Sequence, residues 1–236
     1  MWGGSLSAIT SLKYLTDLQR ALESGGERAI HAFLKQYQRP LWVAFAHGWN
    51  GILIVPEFRF GRNYRADFLV LSSHSGALHA TLLELEPPKA RLYLRDGTES
   101  RELRTALRQV KDWFTWISDY PGQFHREIAE EIERAARDDR RIPKYLVRFM
   151  RAELLDPRNV VLDHYAVLIG RRNSISPADN QRRGNEAKWR VGIEIATYDR
   201  LIDIGLRDKQ FAASYASQNV RSGKTRPNQR MQPAST

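Results

Sequence analysis

The chain has 236 residues, 42% of them hydrophobic, with a formal net charge of +10 and no cysteine. That is room for one large domain with an ordinary apolar core. It excludes disulfides, thiolate chemistry and cysteine-type zinc sites, and agrees with a reducing compartment. No apolar run reaches the length of about 18 residues that a membrane helix needs. Residues 1–7 lack the charged and apolar regions of a signal peptide. The expectation is a soluble, cytoplasmic protein. The excess of Lys and Arg suits a nucleic-acid partner, because these side chains displace counterions condensed on phosphates.

Residues 6–22 read as a helix, with Leu12, Leu15, Leu18 and Leu22 near a helical period. Ser24, Gly25 and Gly26 break it. A second helix is expected over 27–38, with Ala29, Phe33, Leu34 and Tyr37 as its apolar stripe and Pro40 as its stop. The period then shortens to that of strands. Residues 42–46, 52–58, 64–71 and 78–86 read as β-segments, joined by turns at 47–51 and 72–76. Pro87 and Pro88 end the last of them, since proline cannot continue a ladder. The order so far is two helices and an antiparallel meander.

Helices over 101–118, 123–138 and 142–154 follow, the first with Leu103, Ala106, Leu107, Val110, Phe114 and Ile117 on one face. A strand over 160–169, a polar loop over 174–188, a strand over 190–196 and a helix over 198–206 complete the pattern. The predicted organisation is an N-terminal helix within 1–24, one α/β domain over 25–210 and a disordered basic tail over 211–236.

Three acids stand out. Asp67 lies in the apolar strand around Phe68, Val70 and Leu71, and Glu84 and Glu86 lie two apart on the next strand. Strand side chains alternate, so Glu84 and Glu86 share a face, and pairing across the 72–76 turn brings Asp67 beside them. Three carboxylates on one face repel, and at least one takes a raised pKa unless a cation offsets the charge. Mg²⁺ or Mn²⁺ suits hard oxygen donors and phosphodiester hydrolysis. The plainer reading is a solvated acidic face, or cross-strand pairing with Arg59, Arg62 or Arg65.

The order of these segments resembles the PD-(D/E)XK nuclease core, and more narrowly the nuclease domain of Shedu anti-phage defence proteins. The stretches that carry the resemblance are residues 27–34, 65–68, 83–87, 106–113, 168–172 and 197–201. The resemblance implies a restriction-endonuclease-like core, with a central mixed β-sheet flanked by helices. It implies a metal-dependent DNA endonuclease acting on double-stranded DNA, with Mg²⁺ or Mn²⁺ as cofactor, in a homo-oligomer.

Residue by residue, the resemblance makes Asp67 and Glu84 metal-binding acids and Glu27 the acid supplied by the first core helix. Gln109 matches the glutamine of the helix after the sheet, with Trp113 one turn later. One departure stands out: the motif's lysine is Glu86 here. Glu86 then serves as general base or second-metal ligand, or Lys89 reaches back to replace the missing cation. Loss of catalysis, leaving a module that binds nucleic acid without cutting it, is the remaining alternative.

Arg171 and Arg172, after the fourth strand, read either as phosphate contacts, together with Arg65, or as a charged strand end. Trp113 and Trp116 could stack on bases, with core packing the plainer reading. The six histidines show no ligand spacing; His74 and His79 are expected at the surface, and His31 and His164 partly buried. No P-loop, dinucleotide fingerprint or nucleophile elbow is present.

Overall fold

The computed structural model describes residues 8–207, except 25, 49, 75–76, 139–141, 143 and 190–191. The expectation of a disordered tail concerns residues outside this set. Three helices come first, α1 (Ala8–Ser24), α2 (Glu27–Gln36) and α3 (Arg39–Phe45). Strands β1 (Asn50–Phe60), β2 (Tyr64–His74) and β3 (Ala77–Leu85) follow. Helices α4 (Arg101–Asp119), α5 (Pro121–Asp138) and α6 (Lys144–Leu155) lead to β4 (Val160–Leu168). Helix α7 (Pro177–Trp189), strand β5 (Ile193–Ala196) and a last helix, α8, over residues 199–207 complete the domain.

The five strands form one mixed sheet in the order β1-β2-β3-β4-β5. β1, β2 and β3 are an antiparallel meander, whereas β4 runs parallel to β3 and β5 parallel to β4. A parallel neighbour needs a crossover, and α4, α5 and α6 supply the first one. Strand alternation then sorts the core into two layers. Leu78, Ala80 and Leu82 of β3 pack with Leu103, Val110 and Trp113 of α4 and Phe124 of α5. Leu83 and Leu85 face the other way, onto Leu18 of α1, Ile30 and Leu34 of α2, and Phe45 of α3. The fold is therefore α/β, a mixed sheet flanked by helices on both sides, as the sequence led us to expect.

Two local expectations are corrected. Residues 42–46, read as a strand, belong to helix α3. Pro40 occupies the first turn of that helix, where its missing N–H costs nothing, so it starts one helix as well as following another. Leu41 and Phe45 are buried four apart, a spacing too short to distinguish from strand composition by eye. Residues 174–188, read as a loop, lie mostly in α7. The signal was a cap: Ser176 Oγ accepts from Asp179 N–H, and the Asp179 carboxylate accepts from Ser176 N–H. Because the helix is polar on all sides, no apolar stripe announced it.

The end of β3 is held by its parallel neighbour. Glu86 N–H donates to Leu168 C=O at 2.9 Å, and Gly170 N–H to Pro87 C=O at 3.4 Å. Gly170 has φ +60, and a Cβ there would meet Ala90 O at 2.4 Å. Both the left-handed backbone and the close approach require glycine. Gly170→Ala should therefore destabilise the domain by about 2 kcal/mol or more, read by urea denaturation. An unchanged midpoint would show that the 87–90 turn can move aside without cost.

Candidate functional site

The site forms where β2 and β3 stop pairing. Phe68 and Leu83 are the last partners of the β2–β3 ladder, so one step further Asp67 stands opposite Glu84. There the ladder bond is replaced by a side chain: Leu85 N–H donates to Asp67 Oδ2 at 2.7 Å. Beyond Leu83, β3 continues to pair with β4, Glu84 beside Val167 and Leu85 beside Leu168. On the outer side of β2, Glu57 of β1 has φ +53 and lies between Pro56, which pairs with Phe68, and Phe58, which pairs with Ala66. The sheet thus forks, with Asp67 and Glu84 at the opening.

Helix α2 brings Glu27, its first residue, and His31, one turn later, to the same place. Asp67 acts electrostatically on Glu27, and His31 acts on both. Glu84 feels Asp67, Glu86 and Glu27, all of like sign, with Arg65 opposing them. Burial first, and then these neighbours, push the Glu84 carboxyl up to about 9. Burial, then Glu27, Glu102 and Asp67, push Glu86 up to about 7. Burial raises Asp67 as well, against the Leu85 N–H bond, His31 and Arg65. Desolvation and Asp67 raise Glu27. Glu27, Asp67, Glu84 and Glu86 are thus one coupled set, and neither Glu84 nor Glu86 is a freely ionised acid at neutral pH.

Gln109 lies on the side of α4 that faces β2, and its amide Nε2 donates to Arg65 C=O at 3.5 Å. The arrangement ties α4 to the strand two residues before Asp67. Lys89 is exposed in a turn closed by Ala90 N–H on Pro87 C=O. It lines an open cleft of ≈ 520 Å³ with Arg91, Arg101 and Glu102, while the charges that act on Glu86 are all acidic. Arg171 and Arg172 are engaged internally, Arg171 with Asp199 at 3.2 Å and Arg172 with Asp203 at 2.5 Å. Trp113 is fully buried in the core, and Trp116 packs near Phe60, Tyr64 and Tyr120.

Three residues here escaped sequence reasoning. His31 lies four after Glu27, a helix-face spacing that could have revealed it. Its Nε2 is buried without a hydrogen-bond partner among the described residues, and its ring lies 5.0 Å from Phe68. Glu102 arrives on the first turn of α4, behind the Ser100 cap that accepts from Leu103 N–H. Tyr198 is fully buried, and its hydroxyl donates to Glu86 C=O at 2.8 Å. No local pattern in the sequence signals either of these two.

The donor chemistry fits a hard divalent cation: several carboxylates whose mutual repulsion a cation would relieve. Among the described residues, no three carboxylate or imidazole groups converge at metal-ligating distance. The set as it stands supplies oxygen donors and one group, Glu86, able to exchange protons near neutrality.

Toward the other end of β3, histidines gather. His47 and His164 stack at 3.7 Å between ring centroids, and His79 Nδ1 lies 2.9 Å from His164 Nε2. His74 is exposed as expected, but His79 is half-buried, because it sits on the inner face between β4 and the segment after α3. Burial, then His47 and His79, push His164 down to about 4. Glu194 and Arg200, themselves ion-paired at 2.5 Å, act on His47 with opposite signs.

The architecture, a five-stranded mixed sheet flanked by helices with its carboxylates at a fork, is consistent with a restriction-endonuclease-like core. A family model described as Shedu protein SduA, C-terminal, matches residues 24–202. The chain belongs to the Shedu family. No curated protein matches it. No helix among the described residues is long and apolar enough to cross a membrane.

Two variants test the electrostatics. A carboxyl raised to about 9 contributes stability below its ordinary value of 4.5 and loses it as pH rises toward 9. Glu84→Gln stays neutral throughout. In EDTA at pH 8 it should exceed wild type by roughly 1–3 kcal/mol in urea denaturation, a gap that closes near pH 4.5. A histidine lowered to about 4 has the opposite dependence, since the unfolded chain takes its proton first as pH falls below about 6.5. His164→Gln should therefore cost about 1 kcal/mol at pH 8 and little or nothing at pH 5. A cost independent of pH would mean that His164 ionises as freely in the fold as outside it.

Proposed function

We propose that the chain is a Mg²⁺- or Mn²⁺-dependent deoxyribonuclease of the PD-(D/E)XK kind, cutting double-stranded DNA internally. Anti-phage defence is the role to which its family membership points. The observation that carries the reading is the fork: Asp67 pinned on Leu85 N–H opposite a Glu84 pushed up to about 9.

Asp67, Glu84 and Glu27 would hold the cation. When bound, it polarises a phosphodiester oxygen and eases deprotonation of water. Glu86 is the group that takes the proton from the attacking water. It shares a strand face with Glu84, and the Tyr198 hydroxyl fixes the backbone that carries it. Gln109 positions β2 through Arg65 C=O. Lys89, in its exposed turn beside Arg101, is better placed to meet a phosphate than to replace the motif lysine. We propose a homo-oligomer as the working form, on the family resemblance alone.

A second reading rests on the missing lysine: a module that binds nucleic acid without cutting it. Cleavage of supercoiled and linear DNA with Mg²⁺ or Mn²⁺ separates the two. The wild-type chain should cut, Glu84→Ala should lose at least about 100-fold, and Glu86→Ala should lose a general-base contribution of about 10²–10⁴-fold. Full activity in Glu86→Ala with loss in Lys89→Ala would move the water-activating role to Lys89. Metal-independent DNA binding with no cleavage would overturn the nuclease reading.

A further inference from the structure

Helix α4 carries Arg101, Arg104, Arg108 and Lys111 at spacings of three, four and three residues. At about 100° per residue, these four fall within a sector of about 80°. All four are exposed, on the side opposite the buried Leu103, Ala106, Val110 and Ile117. Like charges at such spacings repel and weaken a helix. Several other solvent-facing stretches relieve that repulsion with an acid. On α5 and α6, Arg134 pairs with Glu131 and Arg151 with Glu133. At the end of β4, Arg171 and Arg172 pair with Asp199 and Asp203. Arg182 of α7 pairs with Asp179.

The α4 stripe is not relieved in this way. Among the described residues none of its four cations has an ion-pair partner, and the neighbouring Asp112 pairs with none of them. Arg104 reaches only a backbone carbonyl, that of Glu99, at 2.9 Å. The stripe also begins at the candidate site. Arg101 lines the same cleft as Lys89, Arg91 and Glu102, and Glu102 acts on Glu86.

We infer that the exposed face of α4 is the track for the sugar-phosphate backbone of duplex DNA, entering at Arg101 and running along Arg104, Arg108 and Lys111. The inference rests on the nuclease reading for the identity of the polyanion, and it assigns the main phosphate contacts to α4 in place of Arg171 and Arg172. Each cation contributes an electrostatic contact without sequence information. A row of such contacts holds the duplex in register while the carboxylates at the fork address one phosphodiester.

The test is fluorescence anisotropy with a duplex of about 30 base pairs, in EDTA, across a salt series. The full chain carries Glu84→Ala, so that binding is read apart from cleavage. Adding Arg104→Gln, Arg108→Gln and Lys111→Gln should weaken binding on the order of 100-fold at about 0.1 M salt, and should reduce the salt slope by about 2 to 3. The thermal midpoint should hold or rise, since repulsion is removed. Replacing the paired Arg134, Arg151 and Arg158, the last held by Asp156 at 2.7 Å, by Gln is the matched control and should leave affinity unchanged. Equal affinity and slope in the α4 variant would overturn the track while leaving the nuclease reading intact. Failure of the Glu84→Ala chain to bind duplex would overturn the track, while absence of wild-type cleavage with Mg²⁺ or Mn²⁺ would overturn the nuclease reading. Retention on phosphatidylserine vesicles without duplex binding would assign the stripe to a lipid surface and likewise overturn it.

Discussion

The bond from Leu85 N–H to the Asp67 carboxylate is the constraint around which the sheet is arranged. A buried backbone N–H needs an acceptor. In a continued ladder that acceptor would be a β2 carbonyl, and the two strands would close over the site. Here the side chain of Asp67 takes the place, so β3 is released from β2 and stays bonded to β4 through Leu168. The Asp67 side chain is thereby fixed in position, and the strands open just where Glu84 stands. Glu57 takes a positive φ opposite Asp67 while Phe58 and Phe60 on the same strand pack against Phe124. Lys35 on α2 reaches Glu57 at 2.6 Å and ties that residue to the helix that carries Glu27.

This geometry has an electrostatic consequence. Four acids are drawn together, with Arg65, His31 and one backbone N–H as the main offsets. Burial and like charge favour the protonated form of Glu84 and, in part, of Glu86. That is a cost borne by the fold, and native chains keep such clusters mainly where function uses them. A purely structural role would be served as well by an uncharged side chain at residue 84.

The sheet was largely legible, because β2 and β3 alternate over long apolar runs and because two prolines mark the end of β3. Asp67, Glu84 and Glu86 could be placed near each other from strand parity and one turn. What stayed hidden depends on longer paths. Glu102 comes to the site through the crossover, and Tyr198 through the return from β5. α3 was misread because seven residues hold too few periods to separate helix from strand, and α7 because a polar helix has no stripe. The pairing of Arg171 and Arg172 with Asp199 and Asp203 was invisible for a similar reason: charge counted along the chain does not show which cations are already neutralised in space.

A formal charge of +10 is a sum over cations in very different states. Those held by acids contribute little field beyond a Debye length, because each pair screens itself. Unpaired cations in a row add their potentials along one line, and a low-dielectric protein behind them directs that field outward. On this chain, Arg101, Arg104, Arg108 and Lys111 form such a row on one rigid helix. The inward face of the same helix packs Val110 and Trp113 into the core, and its Gln109 flank bonds β2 beside Asp67. The helix that would grip a polyanion is thus built into the strand that carries the acids, so the two cannot shift independently.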